Sequence, residues 1–163
     1  MTIATNREFL DHGSDDGCRW RGVAQQVIDG AGTTRQLLVG ESGALCLFAN
    51  AAGQIYNLPI IGADDIGIWF EFSITVSASS NSYTVNTGSS SNFMGGGISA
   101  SSTTPGDGDV FSPVIATDVA MTLDRVEDGW LAGGFFTFTA ISSTEWTVGG
   151  ITVTEPAAAD PFS

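Results

Sequence analysis

Residues 53–77 read GQIYNLPIIGADDIGIWFEFSITVS, and their patterning decides the fold. In the second half Ile68, Phe70, Phe72, Ile74 and Val76 fall on one side, and Glu71, Ser73, Thr75 and Ser77 on the other. Apolar and polar residues that alternate over about ten positions mark a half-buried strand, because successive side chains of a strand point to opposite faces. A helix would scatter the same five apolar residues around its circumference. The aromatic and β-branched content agrees with a strand. Trp69 sits on the polar side, so that face is not expected to be plain solvent throughout. The first half is expected to be a shorter strand stopped at Asn57-Leu58-Pro59, since proline donates no ladder hydrogen bond. Gly62-Ala63-Asp64-Asp65 then turns the chain back.

Working outward, the 163 residues fit one domain, long enough to bury about 70% of the unfolded surface. Short apolar runs broken by Gly, Ser and Thr recur along the chain, and no window carries a long i, i+3, i+4 pattern. The expected class is all-β: a single-domain antiparallel sandwich or barrel of roughly eight to ten strands with an N-terminal arm. Residues 1–35 form the expected arm and edge segment, 36–155 the β-domain, and 156–163, with its two prolines, an extended tail. No fixed-period repeat is visible, which argues against a solenoid.

Strands are expected at Arg35–Val39 and Ala44–Ala49, paired across the Gly40–Gly43 turn, and at Asn81–Thr87, Val110–Ile115, Asp118–Val126, Phe135–Ile141, Trp146–Gly149 and Ile151–Thr154. Cys18 to Ile28 reads equally as a strand or as one or two helical turns. Residues 88–109, GSSSNFMGGGISASSTTPGDGD, read as a long flexible loop, with Phe93 and Met94 as apolar knobs able to dock on a partner.

The charge is lopsided: 18 acidic residues stand against five arginines, for a net charge of −13. Residues 1–36 hold four of the arginines and carry −1, whereas residues 37–163 carry −12. Direct phosphate binding by such a body is disfavoured, so no nucleic-acid partner is expected. No apolar run approaches the ~18 residues of a membrane span, and MTIATNREFLDHG lacks the apolar core of a secretory signal, so synthesis in a cytoplasm is expected, though the protein need not stay there.

Chemistry-bearing motifs are sparse. His12 is the single histidine and has no nucleophile beside it in sequence. Cys18 and Cys46 lack metal-ligand spacing, so no metal and no cofactor are expected. The pairs Asp15-Asp16, Asp64-Asp65, Asp107/Asp109 and Glu127-Asp128 adjoin glycines, where Asp is favoured by its own turn hydrogen bonds. No catalytic residue is assigned.

Two segments carry a resemblance. An apolar strand ending in Leu58-Pro59, a small-residue turn and a long aromatic strand (Ile66–Val76) are matched near the C-terminus by Phe135–Ile141, a turn, Trp146 and an alternating strand ending at Thr154. This pattern, over residues 36–155, resembles the head decoration (cement) proteins of cyanophages and related tailed phages. The resemblance implies a trimeric β protein on the outer capsid surface, tying major capsid proteins together and needing no catalytic group. Two further readings stand beside it: a phage tail, fibre or host- and glycan-binding part, and an enzyme or sugar-binding domain with Trp69, Trp130 and Trp146 as a stacking platform. For the arm, Phe9, Leu10 and Trp20 are expected as apolar anchors on a neighbouring subunit or the capsid. Arg7, Arg19, Arg21 and Arg35 are expected as their charge partners.

Overall fold

The computed structural model describes residues 25–29, 32–124, 129–155 and 158–163. Arg7, Phe9, Leu10, Arg19, Trp20 and Arg21, and with them His12 and Cys18, lie outside the described residues. Eleven strands are described: β1 (Val27–Asp29), β2 (Thr34–Gln36), β3 (Leu45–Phe48), β4 (Gln54–Asn57), β5 (Trp69–Ile74), β6 (Tyr83–Asn86), β7 (Phe93–Ser102), β8 (Asp109–Phe111), β9 (Ala120–Leu123), β10 (Phe135–Ala140) and β11 (Glu145–Thr154). They form a seven-stranded sheet, β1-β3-β5-β10-β11-β7-β8, and a four-stranded sheet, β2-β4-β6-β9. The chain is all-β, with two single-turn 3₁₀ segments at Val39–Glu41 and Ala63–Asp65.

The central strand is as the alternation requires. Phe70, Phe72 and Ile74 are buried, and Trp69, Glu71 and Ser73 face outward. Val76 departs from the expected facing and is exposed. The amides of Thr75 and Val76 both donate to the Phe48 carbonyl, which breaks the alternation after Ile74. β4 ends at Asn57, two residues before Pro59, and the Gly62–Asp65 turn is closed by the Asp65 carboxylate accepting from the Gly62 amide at 2.8 Å.

Strand pairing differs from an antiparallel arrangement. β1, β3 and β5 run parallel to one another, as do β2, β4 and β6, and β7 runs parallel to β11. Only β5/β10, β10/β11, β7/β8 and β6/β9 are antiparallel. From β1 to β6 the chain alternates between the two sheets, so neighbours within a sheet come from every second strand and point the same way. The expected hairpin across Gly40–Gly43 is therefore replaced by a crossing: β2 pairs with β4, and β3 with β1 and β5. The turns of this coil differ in length, Val27 lying opposite Leu45 but Leu45 opposite Glu71, so no sequence period betrays it.

The glycine-rich segment is not a loop. β7 pairs with β11 in continuous register from Phe93↔Glu145 to Ser102↔Thr154, and β11 runs unbroken through Gly149-Gly150. Gly96 has φ of +91°, and a Cβ there would overlap the Val148 carbonyl; a Cβ on Gly95 would overlap the Glu145 carboxylate. These glycines permit close strand approach rather than mobility. Met94, expected as an exposed knob, is fully buried on the inner face, because the strand alternation turns it inward beside the half-buried Phe93.

Inner residues of both sheets share one core. Phe72 stacks on Phe136 with centroids 5.4 Å apart, and its edge meets Tyr56 of the smaller sheet at 5.5 Å. Phe48 contacts both Tyr56 and Tyr83 across the same boundary. Gln54, almost fully buried, is satisfied there: its Nε2 donates to the Leu47 carbonyl and to the Tyr56 hydroxyl, and its Oε1 accepts from the Ala49 amide. The tail is extended at 158–163 and also pairs. Ser163 exchanges hydrogen bonds with Ala120, the Thr122 amide donates to the Pro161 carbonyl, and Phe162 packs on the core. The β9 edge of the smaller sheet is thereby covered.

Candidate functional site: the outer faces of the two sheets

The outward rows of the seven-stranded sheet follow from its register. Leu47 lies opposite Ser73, Ser73 opposite Phe135, Phe135 opposite Ile151, Ile151 opposite Ser99, and Ser99 opposite Val110. With strands about 4.8 Å apart, these six positions form a stripe roughly 24 Å long across the sheet. Phe135, Ile151 and Val110 are 47%, 54% and 67% exposed, and the stripe holds no charged residue. Asp29, opposite Leu47, closes it at the β1 end. In the adjacent row Val27 and Leu45 lead to Glu71, whose carboxylate accepts from Gln25 Nε2 at 2.8 Å.

A second apolar feature follows β8 in the chain. Val114 and Ile115 project from the turn after β8 and are more than 60% exposed. The turn is fixed. The Val114 amide donates to the buried Asp118 carboxylate at 2.7 Å, and the Val114 carbonyl accepts from the Thr117 and Asp118 amides. Ala116 is held at φ +69°, a strained conformation for a residue with a Cβ. Large aliphatic side chains held outward on a rigid turn are the usual mark of a contact surface.

The outward rows of the four-stranded sheet are polar but equally uncharged. Thr34, Ile55, Thr84 and Thr122 form one row, and Gln36, Asn57, Asn86 and Ala120 the next. Among the described residues, the outward rows of the larger sheet hold the carboxylates of Asp29, Glu71 and Glu145, and the two rows of the smaller sheet hold none.

The remaining sequence expectations fall as follows. Arg35 is exposed on β2 and forms an ion pair with Glu41, whose second carboxylate oxygen accepts from the Leu38 amide. Trp69, Trp130 and Trp146 do not make a stacking platform. Trp146 is fully buried with its ring 6.2 Å from Phe70, Trp130 packs on the core, and Trp69 is half-buried over Gly43. Cys46 is fully buried, and burial, followed by the nearby Glu41 charge, pushes its thiol up to about 12, leaving it an inert core residue. Burial also raises the Tyr83 phenol. Among the described residues no three His, Cys, Asp or Glu side chains are grouped to hold a metal ion, and no helix is long and apolar enough to cross a membrane. The stripe and the amide row escaped sequence reading because their members come from six and three separate strands. Comparison with family models, with characterised proteins and with solved structures returns no match for this chain.

Proposed function

We propose that this chain is a virion structural protein, a decoration protein that binds the outer surface of a phage head as a homotrimer and stabilises it. The single observation that carries this reading is the apolar stripe Leu47–Ser73–Phe135–Ile151–Ser99–Val110. A chain of net charge −13 resists close approach to further copies of itself wherever carboxylates face one another. An uncharged apolar face removes that repulsion and gains from burial, at roughly 25 cal/mol per Å². The two sheets, whose aromatic inner faces share a core, are read as a sandwich with the stripe on one outer side. The partners are the major capsid protein and two further copies arranged in a closed ring, which stops growth at three. Residues 1–24 are assigned as an arm reaching a neighbouring subunit or the capsid, with Phe9, Leu10 and Trp20 as anchors and Arg7, Arg19 and Arg21 as charge partners; the expected boundary at residue 35 moves back because β1 and β2 belong to the two sheets, and Arg35 is paired with Glu41 within the chain. The role requires no catalytic group, metal or cofactor. The resemblance of residues 36–155 to phage head decoration proteins supports the same reading.

The test replaces Phe135 and Ile151 together by Asp. Both side chains are about half exposed, so the folded monomer should keep its stability to within about 1 kcal/mol. Decoration of the parent particle, read by sedimentation and by electron microscopy, should fall severely, since each carboxylate must be desolvated at the contact. Deleting residues 2–17 should weaken decoration while leaving the body folded, and added salt should weaken it further. Wild-type occupancy of the double variant, or a particle map with the protein away from any three-fold axis, would refute the assignment.

A further inference from the structure

The face of the smaller sheet carries a second, chemically different feature. At the ends of β2, β4 and β6, the side chains of Gln36, Asn57 and Asn86 stand in register on three adjacent strands. They line a groove of about 400 Å³, closed on one side by residues 87–90 and within the ~300–1,000 Å³ range of small-molecule sites.

The groove is built rather than incidental. Asn86 Nδ2 donates to Asn57 Oδ1 at 2.8 Å, which fixes both amides. Gln36 Nε2 is drawn over the end of β4 by the carbonyls of Leu37, Asn57 and Leu58, at 3.0–3.3 Å. The wall is held by Thr87, buried, whose Oγ1 donates to the Ser89 carbonyl and whose amide donates to the Val119 carbonyl. Gly88 has φ of +78°, and any Cβ there would overlap the Leu58 carbonyl, so the wall lies directly on the end of β4. Those bonds leave Gln36 Oε1, Asn57 Nδ2 and Asn86 Oδ1 without a partner among the described residues. They offer an acceptor, a donor and an acceptor on three adjacent strands whose backbones lie about 4.8 Å apart.

We infer that this groove binds a neutral saccharide. Each sugar hydroxyl both donates and accepts, so a pyranose ring carrying several hydroxyls can meet a row of mixed acceptors and donors. No charged residue lines the groove, although the chain holds 18 acids. The site therefore offers nothing to a cation, and the acidic surroundings repel phosphate or carboxylate ligands. With no aromatic ring in the lining, affinity rests on hydrogen bonds alone, and a dissociation constant on the order of 1–10 mM is expected. This activity is independent of particle binding, because the amide row and the apolar stripe lie on different sheets.

The experiment uses the intact protein and amide-resolved NMR. Methyl glycosides of glucose, galactose and mannose, and N-acetylglucosamine, are titrated separately, with glucuronate as the charged comparison. At least one neutral sugar should produce saturable shifts in the side-chain amides of Asn57 and Asn86, and glucuronate should bind more weakly. Asn57→Ala and Asn86→Ala should each weaken binding about five- to tenfold, the loss of one hydrogen bond. Thr122→Ala, on the same face outside the groove, should leave it unchanged, and the backbone spectrum of each variant reports its fold. Absence of saturable shifts at these amides with all four sugars, or binding that survives in both Asn variants, would overturn the inference.

Discussion

Phe72 stands at the centre of the core, and its truncation to alanine measures whether the two sheets are held as described. Its ring is fully buried and touches four others: Phe136 at 5.4 Å, nearly parallel; Tyr56 at 5.5 Å and Phe138 at 5.8 Å, edge-on; and Phe48 at 5.9 Å. Three of these lie on the strands flanking β5 and one on the opposite sheet, so the backbone around the void is pinned by ladder hydrogen bonds. A pinned site collapses little when a side chain is removed, which places Phe72→Ala toward the upper part of the ~3–5 kcal/mol range for such truncations. The aromatic pair energies are already contained in that range and are not added again. Against a total stability of about 5–15 kcal/mol, the loss should lower the thermal midpoint by about 6–20 °C. Urea unfolding followed by circular dichroism and by tryptophan fluorescence gives the number, and coincidence of the two probes checks that unfolding is two-state. Phe135→Ala is the control: one residue before the buried Phe136, on the outward side, it should cost less than about 1 kcal/mol. A change below about 1 kcal/mol for Phe72→Ala, or equal costs for the two variants, would refute the facing of both β5 and β10.

Gly96→Ala should destabilise by more than about 1 kcal/mol in the same urea assay, because φ of +91° strains any residue with a Cβ and the added methyl meets the Val148 carbonyl. A neutral result would mean that residues 95–97 are not closely paired with β11. Stability should also fall as pH rises from about 9 to 12. The Cys46 thiol ionises from 9.0 when exposed but only near 12 in the fold, so over that window the folded chain holds a proton that the unfolded chain has released. Three units correspond to at most about 4 kcal/mol, and the raised Tyr83 phenol acts in the same direction. Cys46→Ala should flatten most of this slope in urea midpoints measured across that pH range. An unchanged slope would place the thiol outside the core.

The β5 and β10 alternations, the stop before Pro59, the Asp65 turn and the all-β class were legible in the sequence, because the facing of a strand is a local property of the pleated backbone. The core ends of those strands, Phe70, Phe72, Phe136 and Phe138, follow from the same period. Pairing was not legible. Whether β3 adds to β2 or to β5 is settled by which faces must be buried together over long sequence separations, and here burial sends successive strands to alternate sheets. The Met94–Gly97 run has the composition of a loop, and only a parallel partner brought from fifty residues away makes its missing side chains a requirement for packing. That pairing turns Met94 inward, just as Trp146 on the partner strand is turned into the core. The apolar stripe and the amide row exist only in register, since each of their members comes from a separate segment and none is conspicuous alone. Period-two alternation thus set which side of each strand is buried, and the tertiary register decided which exposed residues stand side by side.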